Sequence, residues 1–504
     1  MSRYNFTMHI FLYGPPATGK SAIGKILAEN LRLPFLDLDQ IIEQNAGASI
    51  PQIMAEQSEA AFRAMESAAL KNLPREKAAV IALGGGALLR DENRAAAEAT
   101  GKVILLMADE STLLERLRHA AENRPLLAGD LREKLPALMA ARRAHYDSFP
   151  RRLRVDGKTA AQNARAAQTL IGRHHLSAMG EYDVSVGQVS DLSHVNFIVT
   201  DENVAKFHLE KIKSALNVPA VILPAGEAHK NLETVSRLWQ AFLQNGLDRK
   251  SVVLALGGGV VTDLTGFAAA TYMRGINWVA APTTLLAMVD AAIGGKTGFD
   301  LPAGKNLIGA FHPPQLVLAD PAFLQSLPAA ELISGMAEVV KHGVIADPEL
   351  FALCARGLGW VKDNLDEVVR RAMAVKIQII EDDPYEKGFR AALNLGHTVG
   401  HAVELVSGFA LRHGEAVAIG LAVEAAYAAR IGRTTASVAD SIRETLSALT
   451  LPTQIPDGMP HNEIIRAMKM DKKKNAQTIR FALPAEIGKV ELLDVTELEA
   501  VLSS

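Results

Sequence analysis

Gly14-Pro-Pro-Ala-Thr-Gly19-Lys20-Ser21 reads as a glycine, four residues, then Gly-Lys-Ser. That spacing suits phosphate. Backbone N–H groups of such a loop, and of the helix it opens, face an anion. Lys20 can neutralise β/γ oxygens and Ser21 can hold Mg²⁺. A glycine turn also arises by chance, but here an apolar run, Met8–Tyr13, precedes it and a helical run, Lys20–Asn30, follows. That is the strand–loop–helix context the chemistry requires. Far along the chain, Asn394-Leu-Gly-His397-Thr-Val-Gly-His401 puts two histidines at i, i+4 on one helix face. His413-Gly-Glu415 follows, and Gly335-Met-Ala-Glu338-Val-Val-Lys341 supplies a carboxylate upstream. Three N/O ligands with an open position compose a catalytic Zn²⁺ site. A lone buried histidine is more often structural; three near an acidic motif shift that balance. A third signal, Ala255-Leu-Gly-Gly-Gly259-Val-Val-Thr-Asp263, follows a Val-rich strand. Its glycines let backbone approach a pyrophosphate at a helix N-terminus, though it is not the dinucleotide fingerprint.

The elements that must position these groups alternate. Met8–Tyr13, Val80–Leu83 and Val103–Met107 are β-rich runs separated by amphipathic stretches, and Arg151–Val155 resembles a last strand. The pattern predicts a parallel α/β sheet. A helix is expected over Thr159–Ile171, a linker at Gly-Arg-His-His 172–175, and a new β-rich segment from Tyr182. Strands at Phe197–Thr200, Ala220–Pro224 and Val252–Leu256 again alternate with helices. After about Pro321 long helical stretches dominate: Leu332–Val344, Leu365–Ile380, Asn394–Val406 and Glu415–Ile431. Two domains are expected, 1–175 and 176–504, the second divided into an α/β part to about 320 and an all-helical part beyond. A chain of 504 residues is too long for one ordinary core. Its net charge of −3 gives no basic field for nucleic acid. One cysteine, Cys354, cannot make an intrachain disulfide, which fits a reducing, cytoplasmic setting. The most apolar segment, between Arg274 and Asp290, contains Pro282 and is shorter than the roughly 20 residues a membrane span needs.

Further motifs narrow the first half. Phe35-Leu-Asp37-Leu-Asp39, Gly47-Ala-Ser-Ile50, Phe62-Arg63 with Glu66, Gly84-Gly85-Gly86 and Asn123-Arg124-Pro-Leu-Leu127-Ala-Gly-Asp130 follow in order. In these motifs residues 8–170 resemble shikimate kinase. The resemblance implies a P-loop kinase taking shikimate and ATP with Mg²⁺. Gly14, Gly19, Lys20 and Ser21 then bind nucleotide, and Asp37 acts with Ser21 around Mg²⁺. Asp39, Arg63 and Gly84–Gly86 hold shikimate, with Asp39 accepting from the attacking hydroxyl. Arg142 holds the carboxylate, Arg143 competing for that role, and Arg124 closes over the phosphates. Asp37 or Asp39 alone also suits a helix cap. The loop departs from the family's usual form at Pro16, Thr18 and Ala22, without losing a required group.

In the second half, Tyr272-Met-Arg274-Gly, Pro282-Thr283-Thr284-Leu-Leu, Val289-Asp290, Gly294-Gly-Lys296-Thr and Gly304-Lys305-Asn306 run in series. They continue with Glu338, Lys341, Arg390, Asn394, His397, His401 and His413. Over about 182–500 this resembles 3-dehydroquinate synthase, which implies NAD and Zn²⁺ (or Co²⁺) and a heptulosonate phosphate substrate. Glu338, His397 and His413 then bind the metal, and His401 neighbours the substrate phosphate instead. Glu227, Lys230, Gly258, Gly259, Asp263, Thr283, Thr284, Asp290, Lys296 and Lys305 then bind NAD. Asp290, Lys296, Asn306, Lys341, Lys376, Arg390 and Asn394 surround the substrate. Asp290, Lys296, Lys341, Arg390 and His401 carry catalysis. Arg274 reaches the phosphate of a neighbouring subunit, which implies a homodimer through this domain. One lysine of 472–474, Lys472 by preference, also reaches the phosphate; the run equally suits a solvated charged loop. The alternatives are a gluconate-type kinase for the first half and a metal-dependent polyol dehydrogenase for the second. Asp-x-Asp with Phe-Arg argues against the former, and the Lys/Arg/Asn-rich set against the latter. A non-catalytic scaffold would have lost Lys20, Lys341 or the metal ligands, and all are present.

Overall fold

In the computed structural model, the described residues are 8–118, 130–189, 192, 194–302, 304–471 and 478–503. They form two compact units, Met1–His175 and Leu176–Ser504.

The first unit is built on five parallel strands in the order Phe35–Asp37, Val80–Ala82, His9–Tyr13, Gly101–Met107, Arg152–Arg154. The central strand, HIFLY, is buried along its whole length. That is what a parallel strand covered on both faces demands. Its side chains alternate: Phe11 and Tyr13 join one core with Phe62 and Tyr146, while Ile10 and Leu12 join the other with Ile23 and Leu27. The loop after it leads into the helix Lys20–Asn30. Helices Leu38–Ala46, Glu59–Lys71 and Leu131–Asp147 bring the remaining site residues to the same end of the sheet. The expected helix near 159–171 forms as Ala160–Ile171, started by a Thr159 capping box. The expected linker at 172–175 is different. Gly172 (φ 65°) ends that helix, and a strand, Arg173–Leu176, follows directly.

In the second unit, parallel pairs order the strands Tyr182–Val186, Leu316–Ala319, Asn277–Pro282, Val252–Gly257, Phe197–Asp201 and Ala220–Leu223. The glycine-rich motifs of 294–311 form an antiparallel hairpin, Lys296–Leu301 with Gly304–Phe311. The helical part is carried by Ala329–Ala346, Leu365–Asp382, His397–Val406 and His413–Arg430. It is not helical throughout. Ile479–Glu486 and Lys489–Val495 pair as an antiparallel hairpin whose Ile479, Phe481 and Leu483 pack on the helices. No helix among the described residues is long and apolar enough to cross a membrane.

Helix boundaries decide where the chemistry sits. The stretch expected as one helix from Asn394 breaks: Phe389–Asn394 is a 3₁₀ turn, Gly396 is left-handed (φ 76°), and the α-helix begins at His397. The next long helix begins at His413, two residues before the expected start. Both histidines therefore lie in first turns. Gly420 and Gly414 allow the close packing behind them. A Cβ on Gly420 would lie 1.9 Å from the Gly396 carbonyl oxygen, and one on Gly414 1.8 Å from that of Ser334.

Candidate functional site

The phosphate loop is shaped by backbone that side chains would block. Gly14 (φ 139°) has no room for a Cβ, which would lie 2.2 Å from the Leu106 carbonyl oxygen. Gly19 (φ 86°) is the N-cap of the helix opened by Lys20. Lys20 Nζ donates to the carbonyls of Gly14 and Pro15 at 2.9 and 2.8 Å, so its charge is held over the loop. Thr18, one of the departures, is buried and braces the loop by donating to Pro15 O at 2.9 Å. Ser21 Oγ donates to Asp37 Oδ2 at 2.7 Å, and Asp37 Oδ1 accepts from Asp39 N at 3.2 Å. Asp37 is thus a helix cap and the partner of Ser21 at once.

Across the same cavity, of about 730 Å³, stand Asp39, Arg63, Glu66, Gly84–Gly86 and Arg142. Arg63 is fixed by Glu66 at 2.6 Å and Glu59 at 3.0 Å. Burial pushes the Glu66 carboxyl up, against the pull of Arg63. Gly84 and Gly86 are open because nothing larger fits. A Cβ on Gly84 would meet Glu66 Oε1 at 2.8 Å and Asp39 Oδ1 at 2.9 Å; one on Gly86 would meet Arg63 Nη1 at 2.7 Å. Gly85 O accepts from Arg142 Nη1 (2.8 Å), Tyr146 OH (3.1 Å) and Tyr13 OH (3.4 Å). Of the two competing arginines, Arg142 lines the cavity, while Arg143 is 84% exposed beside Asp147. Arg116 also lines it and donates to Ala17 O; no local motif announces that residue. Arg124 lies outside the described residues.

In the second unit, Gly258 precedes the helix Gly259–Thr271, and a Cβ on it would crowd Thr284 at 3.1 Å. Asp263, on that helix, ion-pairs with the buried Lys230 at 2.7 Å, and Lys230 also donates to Asn306 Oδ1 at 2.6 Å. Burial raises the Asp263 carboxyl while Lys230 opposes it. Burial likewise raises Glu227, against Lys230 and Lys305. Thr284 Oγ1 accepts from Ala287 N. The buried Thr283 hydroxyl has no hydrogen-bond partner among the described residues, as suits a side chain that waits for a polar ligand.

Glu338 is fully buried, and its Oε1 lies 3.2 Å from His397 Nε2 and 3.5 Å from His413 Nε2. One ligand atom of each lies within 4.8 Å of the others. Behind the rings, His397 Nδ1 is 3.1 Å from Leu395 O and His413 Nδ1 is 3.3 Å from Glu404 Oε2. Each Nδ1 is thus occupied from behind, which leaves Nε2 to face the carboxylate, and the donor set fits a cation. Burial disfavours the Glu338 charge, but Lys341, His397 and His413 outweigh it and hold the carboxyl well below its usual range. Burial also disfavours charge on His413, yet Glu338 and Glu404 lift it to about 9. Burial pushes His397 down. His401 shares the helix face, its ring 5.1 Å from that of His397, but it is not one of the three grouped residues. The first turn of the His397 helix is clamped by the buried Glu424, which accepts from Gly396 N at 2.6 Å and Val399 N at 3.2 Å.

A cavity of about 610 Å³ opens beside this group, lined by Asp263, Asp290, Lys296, Asn306, Lys341, Lys376, Arg390, Asn394 and His397. Lys376 is paired with Asp290 at 2.6 Å. Burial works against the carboxylate, but Lys376 outweighs it and the Asp290 carboxyl lies at about 2. Arg390 is buried and donates to Pro384 O. Lys341 pairs with Glu338. Glu386, absent from the sequence reading, sits 3.6 Å from Lys296 and accepts from Asn394. Lys305 is turned to Glu404 at 3.1 Å. Arg274 is exposed on a turn of positive φ (67°) and does not line this cavity. Lys472 lies outside the described residues.

Comparison with known proteins matches both parts of the chain. The family model for shikimate kinase matches residues 16–172, and those for the N- and C-terminal parts of 3-dehydroquinate synthase match 220–334 and 335–474. The 3-dehydroquinate synthase of Nostoc punctiforme (strain ATCC 29133 / PCC 73102) is 47% identical over 309 residues, 59% of this chain and 85% of its own length. The chain belongs to the shikimate kinase and 3-dehydroquinate synthase families. It carries both activities, the first in the unit with the phosphate loop and the second in the unit with the histidine group. Among solved structures, 2-epi-5-epi-valiolone synthase from Streptomyces hygroscopicus subsp. jinggangensis 5008, with NAD+ and Zn2+ bound, is 31% identical. It covers 64% of this chain and 94% of its own, with a TM-score of 0.58. Shikimate kinase from Acinetobacter baumannii in complex with shikimate is 34% identical, covering 33% of this chain and 94% of its own, with a TM-score of 0.32.

Proposed function

We propose that residues 1–175 transfer the γ-phosphoryl group of ATP to the 3-hydroxyl of shikimate. What supports this most is one cavity lined by Lys20 and Ser21 together with Asp39, Arg63 and Arg142. Lys20 exchanges its loop carbonyls for β/γ oxygens. Ser21 and Asp37 are the pair that would hold Mg²⁺. Asp39 accepts the proton of the attacking hydroxyl, and the two arginines receive the carboxylate. Arg124 closes over the phosphates.

Residues 176–504 convert 3-deoxy-D-arabino-heptulosonate 7-phosphate to 3-dehydroquinate and phosphate. About 176–320 bind NAD, through Gly258, Gly259, Asp263, Thr283 and Thr284 with Glu227, Lys230 and Lys305 nearby. About 321–504 bind Zn²⁺ (or Co²⁺) through Glu338, His397 and His413. Bound, the cation would acidify a substrate hydroxyl and NAD would accept and return a hydride. The chain's own residues position and neutralise a polyanion. Lys296, Lys341, Lys376 and Arg390 supply charge, Asn306 and Asn394 hydrogen-bond hydroxyls, Asp290 holds Lys376 in place, and His401 and Lys472 meet the phosphate. The observation that carries this reading is a single cavity joining Asp263, on the helix after the glycine turn, to His397 of the metal group through these cations. Assaying the purified chain with shikimate plus ATP, and separately with the heptulosonate phosphate plus NAD and Zn²⁺, tests both halves. A half that folds but shows no turnover refutes its assignment.

Arg274, exposed and away from its own cavity, completes the site of a second copy in a homodimer. Mixing inactive Arg274→Ala and Lys341→Ala chains should restore activity through one intact site per mixed dimer. No regain after confirmed exchange would show that Arg274 acts within its own chain.

A further inference from the structure

Glu404 lies on the helix His397–Val406, seven residues after His397 and so two turns along the same face. Its side chain is 10% exposed and is gripped from two sides. Oε2 lies 3.3 Å from His413 Nδ1, and Oε1 accepts from Lys305 Nζ at 3.1 Å. Lys305 comes from the hairpin strand Gly304–Phe311 and rests 4.6 Å from the centre of the Phe409 ring.

Of the two histidines in the metal group, His413 is the less confined. It is the first residue of its helix and is 31% exposed, against 14% for His397. His397 has a backbone carbonyl behind its Nδ1, fixed by the fold itself. For His413 the same place is taken by a side chain. An acceptor there keeps a proton on Nδ1, sets the ring plane and leaves Nε2 as the atom that faces Glu338 and would meet a cation. We infer that Glu404 is the positioning residue of the metal group. It aims His413 Nε2 through Nδ1, and Lys305 holds the Glu404 carboxylate in line. The inference rests on the reading of Glu338, His397 and His413 as ligands of a divalent cation.

The test uses the full chain and zinc itself, with affinity measured by competition against a chromophoric chelator and no turnover required. Glu404→Ala should weaken zinc by about 10–100-fold, the usual cost of losing a partner behind a ligating imidazole. Glu404→Gln, which keeps an acceptor but not the charge, should fall between. With Co²⁺ in place of zinc, the visible absorption bands should shift in Glu404→Ala, because the ligand is misdirected. A merely structural loss would lower folding stability and leave those bands alone. His413→Ala is the control that separates the two levels. If zinc affinity is equal in wild type and His413→Ala, the metal reading itself fails. If His413→Ala loses zinc while Glu404→Ala keeps wild-type affinity and an unchanged cobalt spectrum, only the role of Glu404 is overturned. Should Glu404→Ala not fold, Glu404→Gln decides by the same two measurements, and wild-type values in both overturn the inference.

Discussion

The helices that carry the two histidines meet backbone to backbone at Gly420, and Gly420→Ala tests how that contact holds the metal group. The added methyl would lie 1.9 Å from the Gly396 carbonyl oxygen and 2.8 Å from Gly400 N. A carbon and a carbonyl oxygen rest at about 3.3 Å, so the helices must separate locally by roughly 1.4 Å. Both obstacles are backbone atoms, so no rotamer change relieves the clash. Overpacking of this kind costs about 1–3 kcal/mol. A unit of about 330 residues unfolds with an entropy near 0.7 kcal/mol per kelvin, so the melting temperature should fall only about 1.5–4 °C. The chemistry should suffer more. His397 is the next residue after Gly396, and metal–ligand distances tolerate about 0.2 Å. A displacement near 1 Å can cost on the order of 100-fold in rate. Calorimetry, zinc competition and synthase turnover should therefore show a small loss of stability beside a large loss of zinc affinity and rate. Gly359→Ala, where no heavy atom lies within 4 Å of the new methyl, is the control. A Gly420→Ala chain with wild-type zinc affinity and turnover would refute the reasoning.

Lys20→Ala should cut phosphoryl transfer by about 100–1,000-fold and spare the synthase, while His413→Ala should do the reverse; measuring both rates in both variants checks the separation. His342 is fully buried, and burial with Lys341 beside it pushes its imidazole down to about 3. The unfolded chain then binds a proton between about pH 6.5 and 3 that the folded chain refuses, so stability falls as pH falls through that window, by up to about 1.4 kcal/mol per pH unit. Urea unfolding at pH 7.5 and 5 should show His342→Leu gaining on wild type at the lower pH, and an unchanged difference would exclude His342 from the acid response. In the synthase reaction one phosphate should appear per turnover while free NADH stays near zero in the same cuvette; stoichiometric NADH from a simple polyol, with no phosphate release, would indicate a dehydrogenase.

What could be read in advance followed the range of the interaction. The phosphate loop was legible because strand, loop, Lys20 and Ser21 are contiguous, and Asp37 completes the group only sixteen residues on. The metal group was harder. Local spacing alone favours His397 with His401, yet the geometry joins His397 to Glu338 and His413. That choice is made by Gly396, which starts the helix at His397, and by Gly414 and Gly420, which let three helices approach; spacing along one helix carries no such information. Glu404 had a usable signal in its i, i+7 relation to His397. Arg116 had none, since only the tertiary path of its helix brings it to the loop. The two hairpins were missed for different reasons. The glycines of 294–309 suggest ligand loops more strongly than strands, and the alternating run from Ile479 is short beside the long helices before it.

The carbonyl of Gly85 is served by more donors than it needs. In the arrangement seen, Arg142 is parked on it, with Tyr146 and Tyr13 alongside. Burial pushes both phenols up, so they remain protonated, and able to donate, throughout the neutral range. In the role proposed for Arg142, its move to a substrate carboxylate would leave that oxygen still hydrogen-bonded. Recruiting that arginine would therefore leave the half-buried carbonyl with a donor still in place. The two tyrosines act as understudies: they let a guanidinium be held in readiness without making its departure costly.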